Sequence, residues 1–136
     1  MQKIINCLLI DDDLDDQEIF KMCIKKISKD INCMSAHDGT EAIELLDLNN
    51  DYIPDYIFLD INMPKMNGIA CLKELKKIER IKNSKIFIYS TTSEEKTVTE
   101  SRNLGASDFI IKQSKTLELK EKLAIIFEIV SESINK

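Results

Sequence analysis

A chain of 136 residues with 43% hydrophobic composition can bury one proper core and is too short for two ordinary domains, so a single domain over 1–136 is expected. Its 24 acidic residues outnumber 19 basic ones, and no cluster of Lys and Arg is interleaved with aromatics, which excludes the electrostatic footprint of a nucleic-acid binder. No apolar run reaches the ~18–20 residues that cross a bilayer, and the start Met1-Gln2-Lys3 leads into a strand-like run rather than a signal peptide, so a cytoplasmic protein with no membrane partner is expected.

The first element is an apolar run over 4–10, short enough for a strand and followed by Asp11, Asp12 and Asp13. An amphipathic stretch over 14–28 reads as a helix, with Asp13 placed where an N-cap would stand. A strand over 31–36 and a helix over 40–48 follow, and Asp38 with Glu41 has the spacing of a reciprocal capping box. The third strand, 56–59, ends at Asp60 and is followed by a helix over 68–81. The fourth, 86–90, closes on Ser90, and Thr92 with Glu95 repeats the capping spacing ahead of a helix over 93–104. The fifth, 109–111, precedes Lys112. The last helix, 116–134, carries Leu119, Leu123, Ile126, Phe127, Val130 and Ile134 on one stripe; it reads as core-covering, although so long a stripe could also serve a partner.

Cys7, Cys23, Cys33 and Cys71 show no C-x-x-C spacing, and three lie in apolar segments, so they are expected to be reduced and in or near the core. His37 is the only histidine; structural zinc is not expected, and His37 reads as a loop residue.

Five alternating strand and helix units predict a doubly wound α/β domain, a flavodoxin-like parallel sheet of order 2-1-3-4-5 with helices on both faces. In that order the winding reverses between strands one and three, where sites form at the carboxyl ends. Asp11, Asp12 and Asp60 converge there. Taken alone, an Asp run such as Asp11 to Asp13 is usually a solvated loop or a helix N-cap. Asp60 differs, because a carboxylate closing an apolar strand is costly unless paired or metal-bound. Clustered carboxylates must take up protons or bind a cation, and hard oxygen ligands select Mg²⁺. Such an ion keeps positions open for phosphate oxygens, and an Asp beside it can act as a nucleophile and become an acyl phosphate. Ser90 and Lys112 offer the hydroxyl and the point charge that phosphoryl oxygens need. Taken singly they read as turn chemistry and a surface lysine.

These residues resemble the receiver domains of two-component systems, of the chemotaxis single-domain type, across nearly the whole chain. Leu8-Leu9-Ile10-Asp11-Asp12-Asp13 is similar to the family's first strand and acidic pair. Leu59-Asp60-Ile61-Asn62-Met63-Pro64-Lys65-Met66-Asn67-Gly68 is similar to its phospho-acceptor signature, a highly specific motif. Ser90-Thr91 matches the switch hydroxyl and its small neighbour, and Gly105-Ala106-Ser107-Asp108-Phe109-Ile110-Ile111-Lys112 matches the run ending in the family's lysine.

The resemblance implies Asp60 as phosphoryl acceptor, Asp11 and Asp12 as the acidic pair with Asp12 the nearer metal ligand, and the Asn62 backbone carbonyl as a further ligand to Mg²⁺. It implies Ser90 and Lys112 on the phosphoryl oxygens, and Phe109 as the aromatic whose rotamer reports the switch, although a Phe in a strand is core by default. A histidine kinase or histidine phosphotransfer protein as donor, and an unknown protein downstream, follow from the same resemblance. Gln113 stands where the family usually has Pro, which argues against a cis bond after Lys112, since a non-proline cis peptide costs ~3 kcal/mol. The acidic rim with Asp15 and Asp16 resembles stand-alone receivers that pair with phytochrome-like or hybrid kinases.

Three other functions share parts of this pattern. A hydrolase working through an aspartyl phosphate would need an Asp two residues after the nucleophile as general acid, and Asn62 stands there, so no enzyme beyond slow self-catalysed phosphorylation and dephosphorylation is expected. A flavodoxin-like binder would need a Ser/Thr/Gly-rich loop after the first strand, where three aspartates would repel a flavin phosphate. A degenerate receiver that signals without phosphate is disfavoured by the intact Asp60, Lys112 and acidic pair.

Overall fold

Successive residues of the central strands are apolar, which is what strands covered on both faces require. The computed structural model describes residues 4–61, 63, 67–91, 94–112 and 116–127. Strands β1 (Ile5–Ile10), β2 (Ile31–Ala36), β3 (Tyr56–Leu59), β4 (Lys85–Ser90) and β5 (Asp108–Ile111) alternate with helices α1 (Leu14–Ile27), α2 (Gly39–Leu48), α3 (Gly68–Leu75), α4 (Glu95–Asn103) and α5 (Thr116–Ile126). The sheet is parallel, in the order β2-β1-β3-β4-β5, as the sequence predicts.

The pleat sorts alternate strand residues into two cores. Leu8, Ile10, Ile57, Leu59, Ile86 and Ile88 pack with Ala42 and Leu46 of α2 and with Cys71, Leu72 and Leu75 of α3. On the other face Cys7, Leu9, Phe58, Phe87 and Tyr89 meet Phe20, Cys23 and Ile24 of α1 and Leu119 and Leu123 of α5. Phe58 stacks on Phe87 with centroids 5.3 Å apart and takes the edge of Phe20 at 5.0 Å. All four cysteines are free thiols, three of them buried. The α5 stripe is core-covering through Leu119, Leu123 and Phe127; Val130 and Ile134 lie outside the described residues.

Helix starts follow the capping chemistry in part. The Asp13 and Asp38 carboxylates accept from the backbone N–H groups of Asp16 at 3.1 Å and Glu41 at 2.8 Å. The reciprocal Glu41 carboxylate reaches the N–H of His37 rather than that of Asp38. Helix α4 begins at Glu95 with Glu94 at the cap position and no side-chain cap bond, later than the predicted start at 93; Thr92 lies outside the described residues.

Helix α3 is shorter than predicted. It ends at Leu75, and a 3₁₀ turn occupies Glu79–Ile81. The reason lies in the spacing: Leu72, Leu75, Ile78 and Ile81 recur every three residues, and a 3.6-residue helix would rotate such a row off the core. A turn after α3, an extended backbone at Ile78 and the 3₁₀ turn that follows keep Ile81 buried and Ile78 against the core, with i+3 bonds from Lys77 to Glu74, Ile78 to Leu75 and Ile81 to Ile78. The detour also brings the Arg80 guanidinium to the carbonyls of Leu46, Asn49 and Tyr52. It thereby supplies the positive charge that the last turn of α2 lacks.

Helix α4 ends on Gly105 at φ +103°, with the Gly105 N–H on the Arg102 carbonyl and the Ala106 N–H on the Ser101 carbonyl, the Schellman pattern. Gly105→Ala is expected to lower stability by about 1 kcal/mol, because a Cβ disfavours this left-handed backbone. Urea denaturation should show the loss as a lower midpoint at unchanged slope.

Candidate functional site

The register of the sheet builds the site. Ile10 pairs with Leu59, Leu59 with Ile88 and Ser90 with Ile111, so the residues that follow β1, β3 and β5 emerge at one edge. The ladder continues one residue beyond each strand. The N–H of Asp11 donates to the Ala36 carbonyl at 3.0 Å, that of Asp60 to Ile10 at 2.9 Å and that of Lys112 to Ser90 at 2.8 Å. These bonds fix the backbone from which Asp11, Asp60 and Lys112 project, with Ser90 fully buried at the end of β4.

Asp11 and Asp60 are both buried, Asp12 is exposed at the rim, and one carboxylate oxygen from each of the three falls within 4.8 Å of the others. Lys112 reaches into this cluster. Its Nζ lies 2.8 Å from Asp11 Oδ2, 2.8 Å from Asp16 Oδ2 and 3.3 Å from Asp60 Oδ2, and 5.3 Å from the centre of the Tyr89 ring. The contacts to Asp16 and Asp60 are hydrogen bonds. That to Asp11 is a direct ion pair between a fully buried carboxylate and the ammonium.

Burial pushes the Asp11 carboxyl up to about 6, and the Asp60 charge adds to the rise; Lys112 and the Asp13 N–H pull the other way. For Lys112 burial opposes the charge, yet contacts with Asp11 and Asp16 and the field of Asp60 overcome it and raise its pKa. Buried Asp11 and Asp60 and half-buried Asp16 are thus held together by one ammonium, with Asp12 exposed at their rim.

The predicted residues Asp11, Asp12, Asp60, Ser90 and Lys112 all gather at this edge. Asn62, Gln113 and the peptide between Lys112 and Gln113 lie outside the described residues. Phe109 is half-buried against the core on the α2 and α3 face.

Three supporting residues escaped the sequence reading. Gln17 donates from Nε2 to the Asp11 carbonyl at 2.6 Å, and Asp13 N–H donates to Asp11 Oδ1 at 2.9 Å, so the first turn of α1 locks Asp11. Asp16, read only as rim charge, holds Lys112. Gly68 sits so close behind Asp60 that a Cβ would lie 2.5 Å from the Asp60 carbonyl oxygen and from Ile61 Cα. The signal for Gly68 was its place in the acceptor motif; for Asp16 there was no local signal, because its contact with Lys112 joins segments 96 residues apart.

Residues 7–124 match the profile of the response regulator receiver domain. The chain belongs to this family. The chemotaxis protein CheY of Thermotoga maritima is 33% identical over 110 residues, covering 81% of this chain and 90% of that one. The phosphorylated cyanobacterial phytochrome response regulator RcpA superposes with a TM-score of 0.82 at 25% identity, covering 90% of this chain and 91% of that. A chain of the CheX–CheY–BeF3–Mg complex from Borrelia burgdorferi superposes at 0.76 with 27% identity, covering 90% and 89%.

The protein is therefore a receiver of two-component and chemotaxis-type signalling with the fold its strand order predicts. Receivers bind Mg²⁺ at an acidic pocket, and the residues of this one fit that ion. The donors are hard carboxylate oxygens from Asp11, Asp12 and Asp60, and they converge within 4.8 Å of one another, the donor chemistry that such an ion selects. Among the described residues no helix is long and apolar enough to cross a membrane.

Proposed function

We propose that this receiver accepts a phosphoryl group on Asp60 in a Mg²⁺-dependent reaction, from a histidine kinase or histidine phosphotransfer protein, and signals through helix α4, strand β5 and helix α5. One juxtaposition carries the reading: a buried Asp60 whose carboxylate touches Lys112 while oxygens of Asp11 and Asp12 stand within 4.8 Å. In this reading an Asp60 carboxylate oxygen attacks phosphorus, and the donor's P–N bond breaks as the imidazole leaves. Lys112 exchanges its contact with Asp60 for a phosphoryl oxygen, and the Ser90 hydroxyl donates to another. Asp11, Asp12, Asp60 and the Asn62 carbonyl would hold Mg²⁺, which supplies the positive charge that offsets repulsion between carboxylates and phosphate.

Movement of Ser90 toward the phosphoryl group, with Phe109 as its reporter, shifts the population of two states of the α4, β5 and α5 surface, which contacts a downstream protein. With Asn62 where a hydrolase has its acid, the chemistry stops at slow self-catalysed phosphorylation and dephosphorylation. The protein acts in the cytoplasm as one domain over 1–136, on protein partners rather than nucleic acid or membrane. The experiment is an amide NMR titration with beryllofluoride and Mg²⁺. Shifts are expected at Asp60, Ser90 and Lys112 and across α4, β5 and α5; unchanged resonances on that surface would remove the switching mechanism.

A further inference from the structure

Lys112 has a third partner that the phosphoryl reaction does not require. Asp16, in the first turn of α1 and 96 residues away along the chain, takes a hydrogen bond from Lys112 Nζ at 2.8 Å, shorter than the 3.3 Å bond to Asp60. The Asp16 backbone N–H is occupied by the Asp13 cap, and Gln17 pins the same turn to the Asp11 carbonyl, so the Asp16 carboxylate is presented from a fixed base. Its side chain is one-third exposed, whereas that of Lys112 is 9% exposed, which leaves the ammonium few partners other than these carboxylates.

We infer that Asp16 is a positioning residue that clamps Lys112 in the unphosphorylated state and thereby sets how readily Asp60 takes up a phosphoryl group. This rests on the phospho-acceptor reading above. A phosphoryl group brings about −1.5 to −2 of charge to the pocket, and the ammonium must turn toward it. While Asp16 holds one of its three N–H groups, part of that attraction is already spent on a competing anion, and the Asp16 charge repels the incoming group. Both effects oppose uptake, so neutralising Asp16 favours it.

The test uses the full chain with Mg²⁺, comparing wild type, Asp16→Asn, Asp15→Asn and Asp16→Glu. Asp15 carries the same charge one residue earlier, exposed and about 100° round the helix, so its variant measures bulk charge alone. Asp16→Asn is expected to bind beryllofluoride about fivefold more tightly, the upper end for a partly exposed ion pair. It should also raise the kcat of phosphorylation by acetyl phosphate. Asp15→Asn should move only the KM, and Asp16→Glu should return toward wild type. Equal effects of Asp15→Asn and Asp16→Asn would reduce Asp16 to rim charge and overturn the clamp, as would unchanged or weaker binding by Asp16→Asn. A wild type that binds no beryllofluoride would instead overturn the phospho-acceptor reading, and the clamp with it.

Discussion

Asp60→Asn is expected to stay unmodified when incubated with acetyl phosphate and Mg²⁺, while the wild-type chain gains one phosphoryl group by intact mass. An amide oxygen is a far poorer nucleophile than a carboxylate, and neither neighbour is placed to substitute. Asp11 is buried with Oδ1 committed to the Asp13 N–H and Oδ2 against Lys112, and Asp12 is exposed at the rim. The variant should keep the fold, because Lys112 retains Asp11 and Asp16 and one of several like charges has gone. A phosphoryl group gained by both proteins would refute the assignment.

Lys112→Ala is expected to cost about 3 kcal/mol of stability in metal-free buffer, the low end for removing one partner of a buried ion pair. It strands Asp11 and Asp60, both buried, without their cation. The loss should depend on pH, and its sign follows from Asp11. With Lys112 present the folded carboxyl titrates at about 6 against an ordinary value of 3.8. Its protonated form thus stabilises the fold fully below about pH 4, and that stabilisation is lost as pH rises through 6. Without Lys112 the folded value rises further, so the deficit against wild type should widen between pH 5 and pH 8, with Mg²⁺ restoring part of it at the higher pH. Urea denaturation at several pH values measures this; a deficit that shrinks as pH rises would contradict the electrostatic account of the pocket.

The sheet was legible because each strand is a short apolar run, and the site because its residues stand immediately after those runs. Asp60 closes Tyr56–Leu59 and Lys112 closes Asp108–Ile111, so strand order alone brings them together. Where α3 ends was legible only in part: a row spaced by three shows that a 3.6-residue helix must leave the core, but the packing of Ile78 and Ile81 and the carbonyls near Arg80 decide where. The partnership of Asp16 with Lys112 was hidden for a related reason. It depends on which way the first turn of α1 faces across the sheet, a matter of packing between distant segments rather than of local pattern. The reciprocal capping bond missed by one residue, because the Glu41 side chain reaches the N–H of His37.

The acyl phosphate can be located chemically. Borohydride reduces an acyl phosphate to the alcohol, so the wild-type chain, treated with acetyl phosphate and Mg²⁺ and then reduced, should yield on peptide mass analysis homoserine at position 60 and aspartate at positions 11, 12 and 16. Homoserine at one of those other positions, or none anywhere despite a gain of mass, would contradict the claim that Asp60 receives the phosphoryl group.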